Sequence, residues 1–437
     1  MKEFSTMDKV FLGLTRQGKV PYTPMISINL EENLNIEILK SVCQEIWQNY
    51  PILQCTVKYE KKNAKLTENT FNLEDYFFNW EKSTPYTISD FFSEIGNKAF
   101  DPEVDPLVYI YTINTTNDSF LIMRWHHSMF DGLSAFKLIE IILNAYIDKT
   151  EDRQLELGKL ERITIRNLIL RSTHFRYGKK IPSKFSLRLR AISNMLSILR
   201  KKLFNSYEGP FNIGEFQNGS VSYSSIQLDS KITNNFKKIK NILNISENEI
   251  IVAIILRSYF AWSDEKSKNK ARLTLVKDIR PKNKSSFLGN LMVPLYVDIK
   301  KKHTKSNDLL LKKIKKQMDK NKKSIGPIAT QCYMDGRGLS LKKINKHTKI
   351  SFRIANIQLS YVGSLTMRLS EKIKNNFKIK NTEVLNLPKP NLTSVIACVK
   401  TYDTINIGIS YIEDLISTKE IKEFLNIVKK IAIDVAQ

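Results

Sequence analysis

The chain has 437 residues, 42% hydrophobic and 10% aromatic, enough for a sizeable core divided between two lobes. Its opening residues, Met1 to Asp8, lack the apolar stretch of a secretory signal, and the longest apolar run, Ile250 to Phe260, is too short for a bilayer and carries Arg257, so a soluble cytoplasmic protein is expected. A net charge of +25 asks for anionic partners (nucleic acid, a membrane surface, a phosphorylated cofactor or an acidic protein), unless it is only a solvated surface rich in lysine and asparagine.

Met25 to Leu30 alternates as a strand. Asn33 to Tyr50 reads as an amphipathic helix with Leu34, Ile38, Leu39, Val42, Ile46 and Trp47 on one face; Pro51 ends it, and Ile52 to Val57 follows as a strand. Leu107 to Asn114 and Phe120 to Trp125 form a hairpin over Thr115–Ser119. The second strand runs into Trp125-His126-His127-Ser128-Met129-Phe130-Asp131-Gly132, after which Ala135, Phe136, Leu138, Ile139, Ile142 and Leu143 recur at helical spacing. A period of two puts Trp125 and His127 on one face of the strand and Arg124 and His126 on the other, so the two histidines cannot share a task.

Between Arg162 and Tyr207 there is no Asp or Glu, against twelve Lys and Arg, among them Arg188, Arg190, Lys201 and Lys202. Leu187, Ile192, Met195, Leu196, Leu199 and Leu203 interleave at roughly helical spacing. This divides the chain into an N-terminal lobe (1–161), a basic amphipathic connector (162–210) and a C-terminal lobe (211–437). The connector is either a solvated helix packed on the body by one face or an attachment to an anionic membrane surface or an acidic carrier protein. It lacks the dense aromatic platforms that single-stranded nucleic acid favours, so nucleic acid is not the expected partner. The α/β rhythm then restarts. Val221 to Leu228 is a strand, Lys231 to Leu243 a helix, and Ser246 to Trp262 a longer helix with Ser246 as its cap and Glu249 at the box position. The strand Leu273 to Asp278 leads into Ile279-Arg280-Pro281, then Leu288-Gly289-Asn290 and a strand Met292 to Ile299. Leu309 to Lys322 is a helix, Ile357 to Tyr361 a strand, Ser394 to Lys400 and Thr404 to Tyr411 a closing strand pair, and Thr418 to Ala436 a last helix.

The junction at 125–132 places side chains on rigid elements beside the free N–H groups of a helix start. Plain readings exist for its parts. Asp131 caps the helix whatever else it does, and a histidine at a buried strand end is often only a bonded core residue. His127 and Asp131 are four apart, which suits a metal only if both lie on a helix. Gly132 and the cap signal start the helix after them, and His174, His303 and His347 lie in basic, loop-like surroundings, so no metal is expected. Cys43, Cys55, Cys332 and Cys398 are scattered without metal spacing and none stands beside a histidine, so a reducing compartment suits them and a cysteine nucleophile is not expected.

The whole string His126-His127-x-x-x-Asp131-Gly132, between a strand and a helix, resembles the signature of the thioester-dependent acyltransferase superfamily: condensation domains of peptide synthetases, polyketide-associated acyltransferases, wax ester synthases, alcohol acetyltransferases and, more distantly, chloramphenicol acetyltransferase. Further landmarks resemble it in order: Phe4 to Leu12, where an S-x-x-D turn precedes the first strand; helix, Tyr50-Pro51-Ile52-Leu53, strand; Asp278-Ile279-Arg280-Pro281 with Leu288-Gly289-Asn290; and Ser360-Tyr361-Val362-Gly363, where many relatives have Asn in place of Tyr361. The resemblance implies an α/β fold of two chloramphenicol acetyltransferase-like lobes, each a mixed sheet flanked by helices, with a tunnel between them that admits a donor from one face and an acceptor from the other. It implies an acyltransferase with His127 as general base and no cofactor beyond the co-substrate, an acyl-CoA or acyl-carrier thioester, acting on a small alcohol or amine. Backbone N–H groups around Asp131 and Gly132 would hold the oxyanion. Asp131 would organise the site through an ion pair with an arginine of the other lobe, for which Arg280 is the candidate, and His126 would be structural. Alternatives within the same fold are a free-standing condensation domain that joins two carrier-bound substrates by an amide, and a basic binding protein that has lost catalysis.

Overall fold

The computed structural model describes residues 3–17, 21–61, 63–80, 87–116, 118–171, 183–204, 211, 219–263, 269–281, 287–344, 355–388 and 392–437. Among these, eleven strands build two main sheets: β1 (Met25–Leu30), β2 (Phe77–Asn79), β3 (Val108–Asn114), β4 (Ser119–Trp125), β5 (Val221–Leu228), β6 (Lys270–Asp278), β7 (Met292–Lys300), β8 (Ile357–Ser364), β9 (Ile379–Leu385), β10 (Ser394–Thr401) and β11 (Thr404–Ile412). The principal helices are α1 (Thr6–Gln17), α2 (Ile36–Asn49), α3 (Ile88–Asn97), α4 (Gly132–Thr150), α5 (Ile165–Leu170), α6 (Lys184–Phe204), α7 (Ser230–Leu243), α8 (Glu247–Trp262), α9 (Asn307–Lys323), α10 (Gly326–Gly336) and α11 (Thr418–Ala436).

The N-terminal sheet has the order β9-β1-β4-β3-β2. Its alternating apolar residues, Ile26 and Ile28 on β1 and Leu121 and Met123 on β4, join one core with Val42, Ile46 and Trp47 of α2 and Leu138, Ile139 and Ile142 of α4. Those helical spacings are the ones visible in sequence, because each helix buries one stripe on the sheet. The C-terminal sheet has the order β7-β6-β8-β10-β11-β5, with β8 parallel to both neighbours. Behind it α8 is apolar on nearly every side and buried from Glu249 to Leu256, which accounts for the longest apolar run in the chain. Its N-terminus carries the expected box: Ser246 N–H donates to Glu249 Oε2 at 2.7 Å. This is the two-lobed architecture of the chloramphenicol acetyltransferase type.

The chain departs from its sequence reading in several places. Phe4 to Leu12 is not a turn before a strand: Ser5 and Asp8 form a reciprocal cap, with Ser5 N–H on Asp8 Oδ2 at 2.7 Å and Asp8 N–H on Ser5 Oγ at 3.1 Å, and the chain enters α1. Pro51–Gln54 is a 3₁₀ turn, and the strand begins only at Cys55. α10 and β9 have no counterpart in that reading. β9 also crosses the lobe division at 161 and 211. It belongs to the C-terminal half yet pairs antiparallel with β1, Met25 opposite Leu385 and Ile28 opposite Thr382. The connector helix is packed on the body, as one of its two readings had it: Asn194 of α6 donates to Thr330 Oγ1 of α10 at 2.9 Å. Its stretches 172–182 and 205–210 lie outside the described residues.

The exchange of β9 makes a testable statement. Leu385 is fully buried in the N-terminal core. Truncation to Ala should cost about 2–5 kcal/mol of stability, as for other large-to-small core changes. Hydrogen exchange should quicken in β1 amides, more than three hundred positions upstream in sequence but adjacent in the sheet. Protection lost only within the C-terminal lobe would contradict this packing.

Candidate active site

β4 ends at Trp125, and the chain turns through His126 to Phe130 before Asp131 caps α4. The turn is pinned by backbone bonds: His126 N–H to Leu107 O at 2.8 Å, His127 N–H to Tyr22 O at 3.0 Å and Met129 N–H to His126 O at 2.9 Å. Trp125 Nε1 closes it by donating to Phe130 O at 2.9 Å. The two histidines diverge. His126 is fully buried, with Nε2 at 2.8 Å from Thr15 Oγ1 and Nδ1 at 2.7 Å from Ser128 Oγ, and its ring stacks on Phe100. Burial, then the neighbouring His127 and Arg124, lowers its pKa to about 3, which keeps it neutral. His127 stacks on Phe11 at 3.9 Å and on Tyr22 at 5.5 Å between centroids, and it lines an interior cavity of about 930 Å³.

Asp131 and Arg280 meet between the lobes. Arg280 Nη2 lies 2.7 Å from Asp131 Oδ1 and Nη1 lies 3.0 Å from Oδ2, a bidentate pair that is almost fully buried. The remaining capacity of both groups is used. Asp131 Oδ1 also accepts the Ser134 N–H at 3.0 Å and Oδ2 the Leu291 N–H at 3.0 Å. Arg280 also donates to Asp278, to Ser134 Oγ and to the carbonyls of Gly289 and Phe287. Burial opposes the Arg280 charge, but Asp131 and then Asp278 more than restore it, so its pKa stays above the ordinary arginine value. Gly289 has φ of +136°, and a Cβ there would stand 2.3 Å from Ile163 O, so this crossing of two backbones requires glycine.

A second network lies on the other side of His127. Asn290 Nδ2 donates to His127 O and to Asp8 Oδ1, both at 2.7 Å. Asp8 Oδ2 in turn pairs with Arg162 Nη2 at 2.7 Å, and Arg162 donates to the carbonyls of Glu3, Ser128 and Met129. Phe11, Tyr22, Asp8, Arg162 and Asn290 were not assigned to the site from sequence. The S-x-x-D and L-G-N strings were their only local signals, and neither shows what it touches. The oxyanion reading needs one correction: the Asp131 N–H is donated to Gly289 O at 3.3 Å and is not available to a substrate. Gly132 is different. It lines the cavity, stands first in α4 where an amide has no intrahelical partner, and a Cβ on it would meet no protein atom within 4 Å.

The cavity runs between the lobes. One wall holds Phe11, Tyr22, His127 and Leu133; the sheet opposite offers Thr274, Val276, Pro294, Gln358 and Ser360; α6 and α10 roof it with Asn194, Met195, Thr330 and Met334. Tyr361, in the place where many relatives have asparagine, donates to Glu247, which also pairs with Lys400, so it forms part of the lining as a tethered side chain. The four cysteines form no disulfide, and burial raises the thiol pKa of Cys43, Cys332 and Cys398, that of Cys332 to about 12, so none of these three is a candidate thiolate nucleophile.

A two-lobed fold with this motif facing an inter-lobe cavity defines a class, and comparison with known proteins agrees. The condensation-domain family model matches residues 9–164. No curated protein matches the sequence. The whole chain superposes on the trichothecene 15-O-acetyltransferase of Fusarium sporotrichioides with TM-score 0.73 and 11% identity, covering 95% of that chain. It is similar over its whole length to the wax ester synthase/diacylglycerol acyltransferase of Marinobacter aquaeolei VT8, with TM-score 0.61, 13% identity and 98% of that chain covered. The starter condensation domain of rhizomide synthetase, solved in complex with C8-CoA, gives TM-score 0.68, 9% identity, all of this chain and 96% of that one. Identities this low speak for the fold alone. Residues 9–164 therefore match the condensation-domain family, and the chain as a whole shares the fold of these acyltransferases and condensation domains.

Two measurements probe the site. Asp131→Asn keeps a cap but leaves Arg280 buried without its counter-charge, and breaking a buried pair from one side costs about 3–5 kcal/mol. Asp131→Asn and Arg280→Met should each lower the melting temperature, and the double change should be less harmful than the sum. Strict additivity would reduce Asp131 to a helix cap. The second concerns pH. The folded protein protonates His126 only near pH 3, whereas the unfolded chain takes up that proton near pH 6.5 (about the ordinary value). The stabilisation from the neutral ring is therefore complete above the unfolded value and lost as the pH falls from there toward 3. Melting of the wild type should fall over that window more steeply than melting of His126→Gln; parallel curves would show that burial does not hold the ring neutral.

Proposed function

We propose that this protein transfers an acyl group from a thioester, carried by coenzyme A or by the pantetheine of a carrier protein, to a hydroxyl or amine, with His127 as general base. The observation that carries the reading is the placement of His127. It faces a cavity large enough for substrates, its ring is stacked on Phe11 beside Tyr22, and its backbone is held from both lobes. A neutral imidazole there takes the acceptor's proton as the acceptor oxygen or nitrogen attacks the thioester carbonyl. The carbon–sulfur bond breaks as the adduct collapses, and the imidazolium returns the proton to the leaving thiolate, so no covalent enzyme intermediate forms. The Gly132 N–H at the start of α4 offers a donor for the oxyanion. Asp131, Gly289 and Arg280 set the position of the turn rather than touch the reacting atoms. Cysteines that form no disulfide suit work in a reducing compartment such as the cytoplasm.

The match of the N-terminal third to condensation domains keeps a second reading open, in which both substrates are carrier-bound and the product is an amide. Purified protein mixed with acyl-CoA species and pools of alcohols and amines separates the two by acceptor-dependent release of free thiol. His127→Ala should cost about 10²- to 10⁴-fold in turnover at unchanged melting, as general-base deletions do. Turnover that survives this change would remove His127 from the chemistry.

A further inference from the structure

The connector helix α6 has two unlike faces. The inner one is part of the body: Ala191 is buried, Asn194 bonds to Thr330, and Asn194, Met195 and Ser197 line the cavity. The outer face carries Phe185, Leu189, Ile192 and Leu196, which are 70%, 53%, 41% and 60% exposed. Their spacing of four, three and four keeps them on one side of the helix. The same periodicity sets Arg188 and Arg200, both exposed, on either side of that stripe, with Arg190 further round. Arg188 also stands 6.0 Å from the ring of Tyr333. An apolar stripe between arginines, on a helix whose other face is already packed, has the make-up of an interfacial helix.

Charge is divided accordingly. Residues 1–161 hold 16 Lys and Arg against 24 Asp and Glu; residues 162–437 hold 53 against 20. The positive charge thus belongs to the half that begins with the connector, and its field turns that half toward an anionic surface. The stripe runs along a convex ridge about 16 Å long at 1.5 Å per residue, which suits a soft planar surface rather than an insertion into a partner's pocket.

We infer that α6 lies in the headgroup layer of an anionic membrane, with Phe185, Leu189, Ile192 and Leu196 among the acyl chains and Arg188 and Arg200 on lipid phosphates. No helix among the described residues is long and apolar enough to cross a bilayer, so the attachment is peripheral. The inner face of the same helix is a wall of the cavity, and membrane docking therefore leaves one helix between that cavity and the lipid. The inference concerns attachment and stands whether or not the transfer reaction is the right one.

The test is co-sedimentation of the full chain with vesicles of phosphatidylcholine alone and of phosphatidylcholine mixed with phosphatidylglycerol, at low and high salt. Binding is expected to the mixed vesicles at low salt, to weaken at high salt, and to be at least about tenfold weaker on neutral vesicles. Leu189→Ser with Leu196→Ser should weaken it about tenfold or more, because two side chains no longer enter the acyl region. Arg188→Glu with Arg200→Glu should act likewise on mixed vesicles. Circular dichroism and melting of all variants should match the wild type, since none of these side chains is buried. Failure of the wild type to bind mixed vesicles at low salt, binding indifferent to both double changes, or binding to an acidic carrier protein but not to vesicles would each overturn the inference.

Discussion

The arrangement around His127 depends on one buried ion pair, Asp131 with Arg280. Taking both charges out of water costs several kcal/mol per ion, which mutual attraction offsets only if the remaining lone pairs and protons are also bonded. Here they are: two amides and a hydroxyl on the carboxylate, and two carbonyls, a second carboxylate and the same hydroxyl on the guanidinium. Such saturation leaves little room for alternative packings. The pair therefore acts less as a source of stability than as a device of register. It fixes the end of β6 and the Gly289 turn against the start of α4, and so fixes the turn that carries the motif.

Adjacent histidines receive opposite treatment from the same fold. His126 is held at both ring nitrogens and kept neutral by burial, so it serves as part of the framework of the turn. His127 is aimed by contacts that leave it facing the cavity: aromatic faces on its ring, the Tyr22 carbonyl on its amide and the Asn290 amide on its carbonyl. Asn290 reaches Asp8 as well, and Asp8 reaches Arg162, so a helix from the beginning of the chain, the connector and the C-terminal lobe converge on one peptide. Positioning of this kind matters because errors of about 1 Å in a reacting group can cost 10²-fold in rate.

Parts of this were legible in the sequence because they are local. The stripes of α2 and α4, the hairpin β3–β4, the cap of α8 and the contiguous motif each declare themselves within a window of one element. What was not legible depends on distant partners. The Ser5–Asp8 string reads equally as a turn or a helix cap until α1 is seen to continue. α10 begins with Gly326-Pro327, ends at Gly336 and has weak periodicity, so only its packing on α6 identifies it. β9 carries Glu383 at a buried position, an unpromising residue for a strand interior. Its partners, the hydroxyls of Tyr223 and Ser225 at 3.0 Å, lie about 160 positions away. Burial raises that carboxyl's pKa and the two hydroxyls pull it down, a balance that no local rule anticipates.

The same long-range bonds decide which side of the cavity can yield. On the floor the lobes are joined by the ladder of β9 on β1 and by Asn97 of α3, which exchanges hydrogen bonds of 2.8 Å with both backbone groups of Val221 at the start of β5. On the side of the motif they are joined by the Asp131–Arg280 and Asp8–Arg162–Asn290 networks. The roof is held by one neutral hydrogen bond of α6 on α10, Asn194 to Thr330, by the charge-assisted bond of the Thr6 N–H to Asp335 at 2.7 Å and by the packing of Ile328 of α10 in a small apolar cluster. Breaking a neutral hydrogen bond costs about 1 kcal/mol net, whereas breaking either buried ion pair costs several times more. Among the described residues the roof carries no buried ion pair of this kind, and its helix α6 is the one whose outer face is apolar and basic. The proposed surface attachment therefore falls on an element that also lines the cavity.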